Sequence, residues 1–216
     1  MLVREIMTRQ VVAIGPDTPI RDVQLLMEQR NIRHFPILDH GPNGDDGVDR
    51  LVGIVSDRDV RLVGADHPRA PEGVKATDPV RALMVHPVIT AHPDDPIEET
   101  AKTLRARKIG ALPVMEDERL VGIVTAIDML DALVRMSGVT GASSRLEVEV
   151  VDRPGALAGL LDRVASRNVN VSSVMTSRAD EGTVTFVLRV GTLRGHELAA
   201  YLRGLGYTVL WPLERP

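Results

Sequence analysis

The chain has 216 residues, 44% of them apolar, yet only two Phe, two Tyr and one Trp, so its cores must be aliphatic. A net charge of −4 supplies no basic face and so few aromatics no stacking platform, which argues against a nucleic-acid partner. With no cysteine there are no disulfides, thiolate metal sites or cysteine nucleophiles, as suits a cytoplasmic protein. MLVREIMTRQ lacks the pattern of a signal peptide, and no apolar run reaches bilayer length, so no membrane association is expected.

The chain repeats itself. Shifted by 77 positions, Met7 meets Met84, Val11 meets Val88, Pro16-Asp17 meets Pro93-Asp94 and Pro19-Ile20 meets Pro96-Ile97. Arg30, Ile32 and Pro36 meet Arg107, Ile109 and Pro113 in the same register. From LVGIVSDRD at residue 51 and LVGIVTAID at residue 120 the offset falls to 69. The first copy therefore carries an insertion, placed at 40–47 (HGPNGDDG), which is all turn chemistry.

Each copy predicts a β-α-β-β-α unit. Short strands are expected at 11–14 and 88–90, followed by helices whose starts carry Thr18-Pro19 and Asp95-Pro96, a capping side chain before a first-turn proline. Glu98, three residues after Asp95, reads as a variant capping box. Ile20, Val23 and Met27, and Ile97, Thr100, Ala101 and Leu104, lie on one face of each helix. FPIL and ALPVM, then LVGIV twice, are apolar runs suited to buried strands, and a helix follows each aspartate. Residues 64–79 join the copies.

Beyond 137–144 (SGVTGASS) the pattern changes. RLEVEVV alternates like a half-exposed strand, and a helix should begin near Pro154 with Leu157, Leu160, Leu161 and Val164 inward. VNVSSVMT and TVTFVLRV read as strands joined by a turn at ADEG, GHELAAYLRGLG as a helix and YTVLW as a closing strand. That order, β-α-β-β-α-β, is ferredoxin-like.

The doubled GIVSDRD and GIVTAID, each with an upstream proline-bearing strand, resemble a tandem pair of CBS domains, the Bateman module, over residues 1 to about 136. DRPGAL followed by NVNV resembles an ACT domain, and the order CBS–CBS–ACT is similar to bacterial acetoin-utilisation regulatory proteins. The resemblance implies an α/β (α+β) chain with a CBS repeat at 1–64, a second at 78–136 and an ACT domain at 145–216. It also implies two clefts for an adenine nucleotide. Ser56 with Asp59, and Thr125 with Asp128, would place a hydroxyl on phosphate and a carboxylate on the ribose hydroxyls, helped by helix N–H groups. Adenine would lie against Thr18, Val23, Ile32 and Arg33 in the Thr125/Asp128 cleft, and against Asp95, Ile109 and Gly110 in the Ser56/Asp59 cleft. Arg33, His34 and Arg58, where the second copy has Gly110, Ala111 and Ile127, could neutralise phosphate. The same Ser/Thr and Asp pairs are equally what a helix N-cap requires.

In the ACT-like part the resemblance implies an amino-acid site of Asp152, Arg153, Gly155, Ala156, Leu157 and Asn170 at a dimer interface. The plain alternative makes Asp152 a helix cap, Pro154 the first helical residue and Asn170 an exposed strand position. No GxSxG, Walker A or dinucleotide fingerprint occurs. His34, His40, His67, His86, His92 and His196 are scattered, and Asp45-Asp46 lacks calcium-loop spacing. No metal, no cofactor and no catalysis are therefore expected. The expectation is a homodimeric regulator that senses a small-molecule effector, with a metabolic enzyme as possible partner. The alternative is a constitutive scaffold with no ligand.

Overall fold

The computed structural model describes residues 1–39, 49–65, 67–178 and 182–213. The insertion at 40–47, with His40, Asp45 and Asp46, and most of the ADEG turn lie outside the described residues. The chain divides into two compact units, Met1–Met129 and Leu130–Pro216.

The first unit holds the duplication. Its elements are α1 (Ile20–Arg30), β1 (His34–Asp39), β2 (Arg50–Ser56) and α2 (Asp57–Arg61), then α3 (Ile97–Arg107), β3 (Ala111–Glu116), β4 (Arg119–Thr125) and the start of α4 (Ala126–Met136). β1 pairs antiparallel with β2, and β3 with β4. Both ladders slip at the same place, between Ile37 and Leu38 and between Val114 and Met115. Even the helix ends correspond, with Asn31 (φ 52°) and Lys108 (φ 54°) both left-handed.

The leading strands expected at 11–14 and 88–90 are each reduced to one parallel bridge, Ile14 to Ile37 and Ala91 to Val114. Pro16 and Pro93, two residues further on, have no N–H with which to continue a ladder. The expected caps are corrected too. Pro19 and Pro96 occupy the cap positions without a side-chain bond, and the helices begin one residue later. Their first N–H groups are satisfied from outside the repeat: Ile20 N donates to Asp78 O (2.9 Å), Arg21 N to Ala76 O (2.8 Å) and Ile97 N to Met1 O (3.3 Å). The Asp95 carboxylate instead accepts from His92 N (2.7 Å), so the Asp95–Glu98 capping box does not form.

Those contacts belong to an exchange. The segment leading into each repeat pairs with the second strand of the other: Thr8 bridges Ile123 of β4, and Val85 bridges Ile54 of β2. Val3 and Met7 consequently pack in the second repeat's core with Leu104, Leu112, Val114 and Val124. Val80, Leu83 and Met84 pack with Ile20, Val23, Phe35, Ile37 and Val55 of the first. Gly53 and Gly122 permit this approach, because a Cβ on them would meet Met84 Sδ at 2.5 Å and Met7 Sδ at 2.6 Å. Each fully buried Val, Leu or Ile is worth about 1.5–3 kcal/mol, so the exchanged residues contribute substantially to cores they do not adjoin in sequence.

The second unit is the ferredoxin-like domain. β5 (Ser144–Val151), α5 (Ala156–Ala165), β6 (Val171–Arg178), β7 (Thr183–Val190), α6 (Gly195–Gly204) and β8 (Thr208–Trp211) form one antiparallel sheet in the order β6-β7-β5-β8. Leu146, Val148, Leu188 and Val190 of the sheet bury themselves with Leu160, Val164, Leu198 and Leu202 of the helices. α5 begins at Ala156, two residues later than Pro154, with Gly155 at its cap in the left-handed region (φ 84°). Asp152 does not cap it; its N–H donates to Gly182 O (2.9 Å).

Candidate ligand clefts

The repeated hydroxyl and carboxylate sit where a strand ends and a helix begins. Ser56 closes β2 and Thr125 closes β4, and Asp59 and Asp128 lie in the first turns of α2 and α4 rather than before them. Asp59 Oδ2 accepts from Ser56 N (3.0 Å) and Ser56 Oγ (2.5 Å). Asp128 Oδ2 accepts from Thr125 N and Thr125 Oγ1, both at 2.7 Å, and Thr125 Oγ1 in turn accepts from Asp128 N (3.3 Å). These are reciprocal capping boxes. Both bonds to each carboxylate fall on Oδ2, which leaves Oδ1 as acceptor for a further donor.

Around Thr125 and Asp128 the first unit opens a cleft of about 600 Å³. Ile32, Arg33 and His34 come to it from the first repeat, and Gly110, Ile123, Ala126 and Ile127 from the second. Arg33 is exposed, so its guanidinium keeps its solvation. Thr8, Gln10, Val11 and Val12 complete the wall. Thr8 reaches the second repeat through the exchange, by its bridge to Ile123, and no local pattern marks it or its neighbours as cleft residues.

Val23 is fully buried in the first core, which corrects its assignment to a cleft wall. Thr18 is outside the cleft lining, and its carbonyl accepts from Val80 N (2.8 Å). Gly110, expected with Ser56 and Asp59, lines the Thr125/Asp128 cleft. Ile109 is partly buried against the second core, and Asp95 is tied to His92 as described. Arg58 is exposed on α2.

His34 is cross-strand from Ser56 and reaches over to the second repeat. A Cβ added to Gly110 would lie 2.8 Å from His34 Nε2 and 2.9 Å from Cε1. Burial pushes the imidazole below its ordinary pKa; the carboxylates of Asp57 and Asp59 oppose that shift, and Arg33 and Arg58 add to it. Its resting state at neutral pH is therefore uncharged. Among the described residues no group of three or more His, Asp or Glu side chains could hold a metal ion.

In the second unit, Arg153, Gly155 and Ala156 line an open groove of about 800 Å³ with Glu149, Arg163 and Tyr207. Asp152, Leu157 and Asn170 are not among its lining residues. Leu157 is packed against the core, and Asn170 is exposed with its carbonyl accepting from Gly191 N (2.8 Å). The six predicted residues thus do not converge on one cavity in a single chain.

Comparison with known proteins identifies both halves. The CBS domain model matches residues 3–66 and 80–135, and the ACT domain model matches residues 144–203. A CBS domain pair crystallised with 5′-methylthioadenosine and S-adenosyl-L-methionine is 28% identical, with a TM-score of 0.52 over 62% of this chain and 97% of that one. A structure assigned to an acetoin utilization protein (AcuB) of Vibrio cholerae is also 28% identical, with a TM-score of 0.52 over 65% of this chain and 95% of that one. The inosine-5′-monophosphate dehydrogenase of Thermoplasma acidophilum is 35% identical over 126 residues, 58% of this chain; the match spans only 22% of that enzyme's length. The chain belongs to the CBS-domain family and carries a C-terminal ACT domain.

Proposed function

We propose that this protein is a cytoplasmic, non-catalytic regulator whose CBS pair binds an adenosine-containing ligand in the Thr125/Asp128 cleft. The observation that carries the reading is the convergence of Thr125, Asp128, Ile32 and Arg33 on one cleft of about 600 Å³, a volume ordinary for small-molecule sites. The similar CBS pair bound to 5′-methylthioadenosine and S-adenosyl-L-methionine supports it. Asp128 Oδ1 would accept from a ribose hydroxyl, Thr125 and the α4 N–H groups would face a 5′ substituent, and Val12, Ile32 and Ile123 would flank the base. Arg33 would neutralise a phosphate where the ligand has one.

The ACT domain serves dimerisation in this reading. Among the described residues β6 is a sheet edge, paired with β7 alone, and it leaves Val174 and Met175 37% and 38% exposed. The groove at Arg153, Gly155 and Ala156 would take an amino acid, with Arg153 on its carboxylate. A ligand-driven change in the dimer, passed to a metabolic enzyme, requires different affinities for two states. A constitutive dimeric scaffold is the competing reading, favoured by one fact: both aspartates already serve as complete helix caps.

Isothermal titration with AMP, ADP, ATP, NAD, S-adenosylmethionine and 5′-methylthioadenosine decides between them. Saturable micromolar binding, weakened at least tenfold by Asp128→Ala in a protein that still melts cooperatively, is expected. No binding by any of the six would leave the scaffold.

A further inference from the structure

The two motifs are equivalent in sequence, but the spaces beside them are not. Consider what stands across the ladder from each hydroxyl residue. Opposite Thr125 is Ala111, and opposite Ser56 is His34. Cross-strand partners project from the same face of a sheet, so each of these side chains stands beside the hydroxyl it faces. Ala111 ends at a methyl group and is 4% exposed, and the cleft beside Thr125 is open. His34 carries an imidazole across to the other repeat, where it packs on Gly110 so closely that a Cβ there would be 2.8 Å from Nε2.

The His34 side chain thus extends from the position opposite Ser56 to Gly110, and it also lines the Thr125/Asp128 cleft. In the repeat register Gly110 is the counterpart of Arg33, and Ser56 and Asp59 are the counterparts of Thr125 and Asp128. A ligand in the second cleft would therefore have its ribose at Ser56/Asp59 and its base against Ile109 and Gly110, and the His34 side chain connects those two places. Ser56 and Asp59 bond to one another meanwhile, so the hydroxyl and the Oδ2 oxygen keep partners while the imidazole fills the gap. Gly110 fits this arrangement, since a Cβ there would meet the ring and oblige it to shift.

We infer that His34 closes the Ser56/Asp59 cleft, so that each chain binds a single adenosine ligand, at Thr125/Asp128. The inference rests on the sensor reading above and adds its stoichiometry and the residue that sets it. His34→Ala copies the residue found at position 111 and restores the symmetry of the pair.

The test is the number of sites per chain, measured by titration of the full-length protein with S-adenosylmethionine and, in parallel, AMP. Wild type is expected to bind one equivalent; His34→Ala, which also trims the wall of the Thr125/Asp128 cleft, is expected to gain a second site that is lost again in the His34→Ala/Asp59→Asn double variant and kept in His34→Ala/Asp128→Asn. Asp128→Asn in the wild-type background is expected to bind none, an arm that does not depend on His34→Ala folding. Two sites in wild type, one site retained in Asp128→Asn, or a folded His34→Ala whose binding is unchanged by Asp59→Asn would each overturn the closure. No binding of either compound to wild type or His34→Ala would overturn the sensor reading itself.

Discussion

The two CBS repeats agree down to their bulges and left-handed helix ends, and they differ in how each fills the space at the pseudo-twofold. The first repeat presents Arg33, His34 and Arg58; the second presents Gly110, Ala111 and Ile127 at the same places. α2 is five residues long, whereas α4 runs for eleven. Backbone geometry is thus preserved by duplication, while the side chains at the seam have diverged into complementary halves: a large residue on one side meets a glycine on the other. An internal repeat need not give two equal sites, because one contact across the seam can be satisfied only once.

The exchange of leading segments makes the repeats one folding unit, and core truncation probes that most severely. Phe35→Ala, at a site with 0% exposure, should cost about 3–5 kcal/mol, and Leu112→Ala, its counterpart at 1%, about 2–5 kcal/mol. Urea unfolding of the first unit should remain a single transition in both variants, shifted as a whole. A first repeat that unfolded by itself in Phe35→Ala would break the picture of interlocked halves.

The capping boxes should respond alike in stability. Removing the carboxylate in Asp59→Ala or Asp128→Ala leaves the Ser56 or Thr125 hydroxyl to cap alone, a loss of about 1 kcal/mol in each case, read from the urea midpoint. Equal losses with unequal effects on ligand binding would sharpen the contrast between the two motifs. A loss of several kcal/mol on one side alone would mean that the box there does more than cap.

The smallest effect is a pH slope. His34 is held below its ordinary value of 6.5 by burial, against the pull of Asp57 and Asp59 and with help from Arg33 and Arg58. The folded state then takes up this proton at lower pH than the unfolded chain. The contribution to stability is full above 6.5 and declines as the pH falls from there through the folded value. Thermal melts across that window should show a shallower acid slope in His34→Ala than in wild type. Identical slopes would show that the imidazole is not desolvated at the seam.

Much of this architecture was legible from local pattern. The 3.6-residue spacing of Ile20, Val23 and Met27, and the alternation in RLEVEVV, report which face of each element is buried, and burial is a property neighbouring residues share. The second unit's element order followed from the same signals. The helix starts misled because Thr18-Pro19 and Asp95-Pro96 have the residue types of a cap, while the actual partners, Asp78 O and Met1 O, come from distant backbone. Val23 misled for a related reason: a helix-start position that could face a cleft faces the core instead.

The amino-acid sequence by itself determined the duplication, the aliphatic cores, the hydroxyl–carboxylate motif and the change of fold near residue 140, since each leaves a periodic or repeated trace along the chain. Only the tertiary structure decided which core receives Met7 and Met84, that both repeats line the cleft at Thr125 and Asp128, and that His34 rests on Gly110. Those are contacts between residues far apart in the chain. They depend on backbones approaching closely enough for a missing Cβ to matter, and no local pattern records that distance.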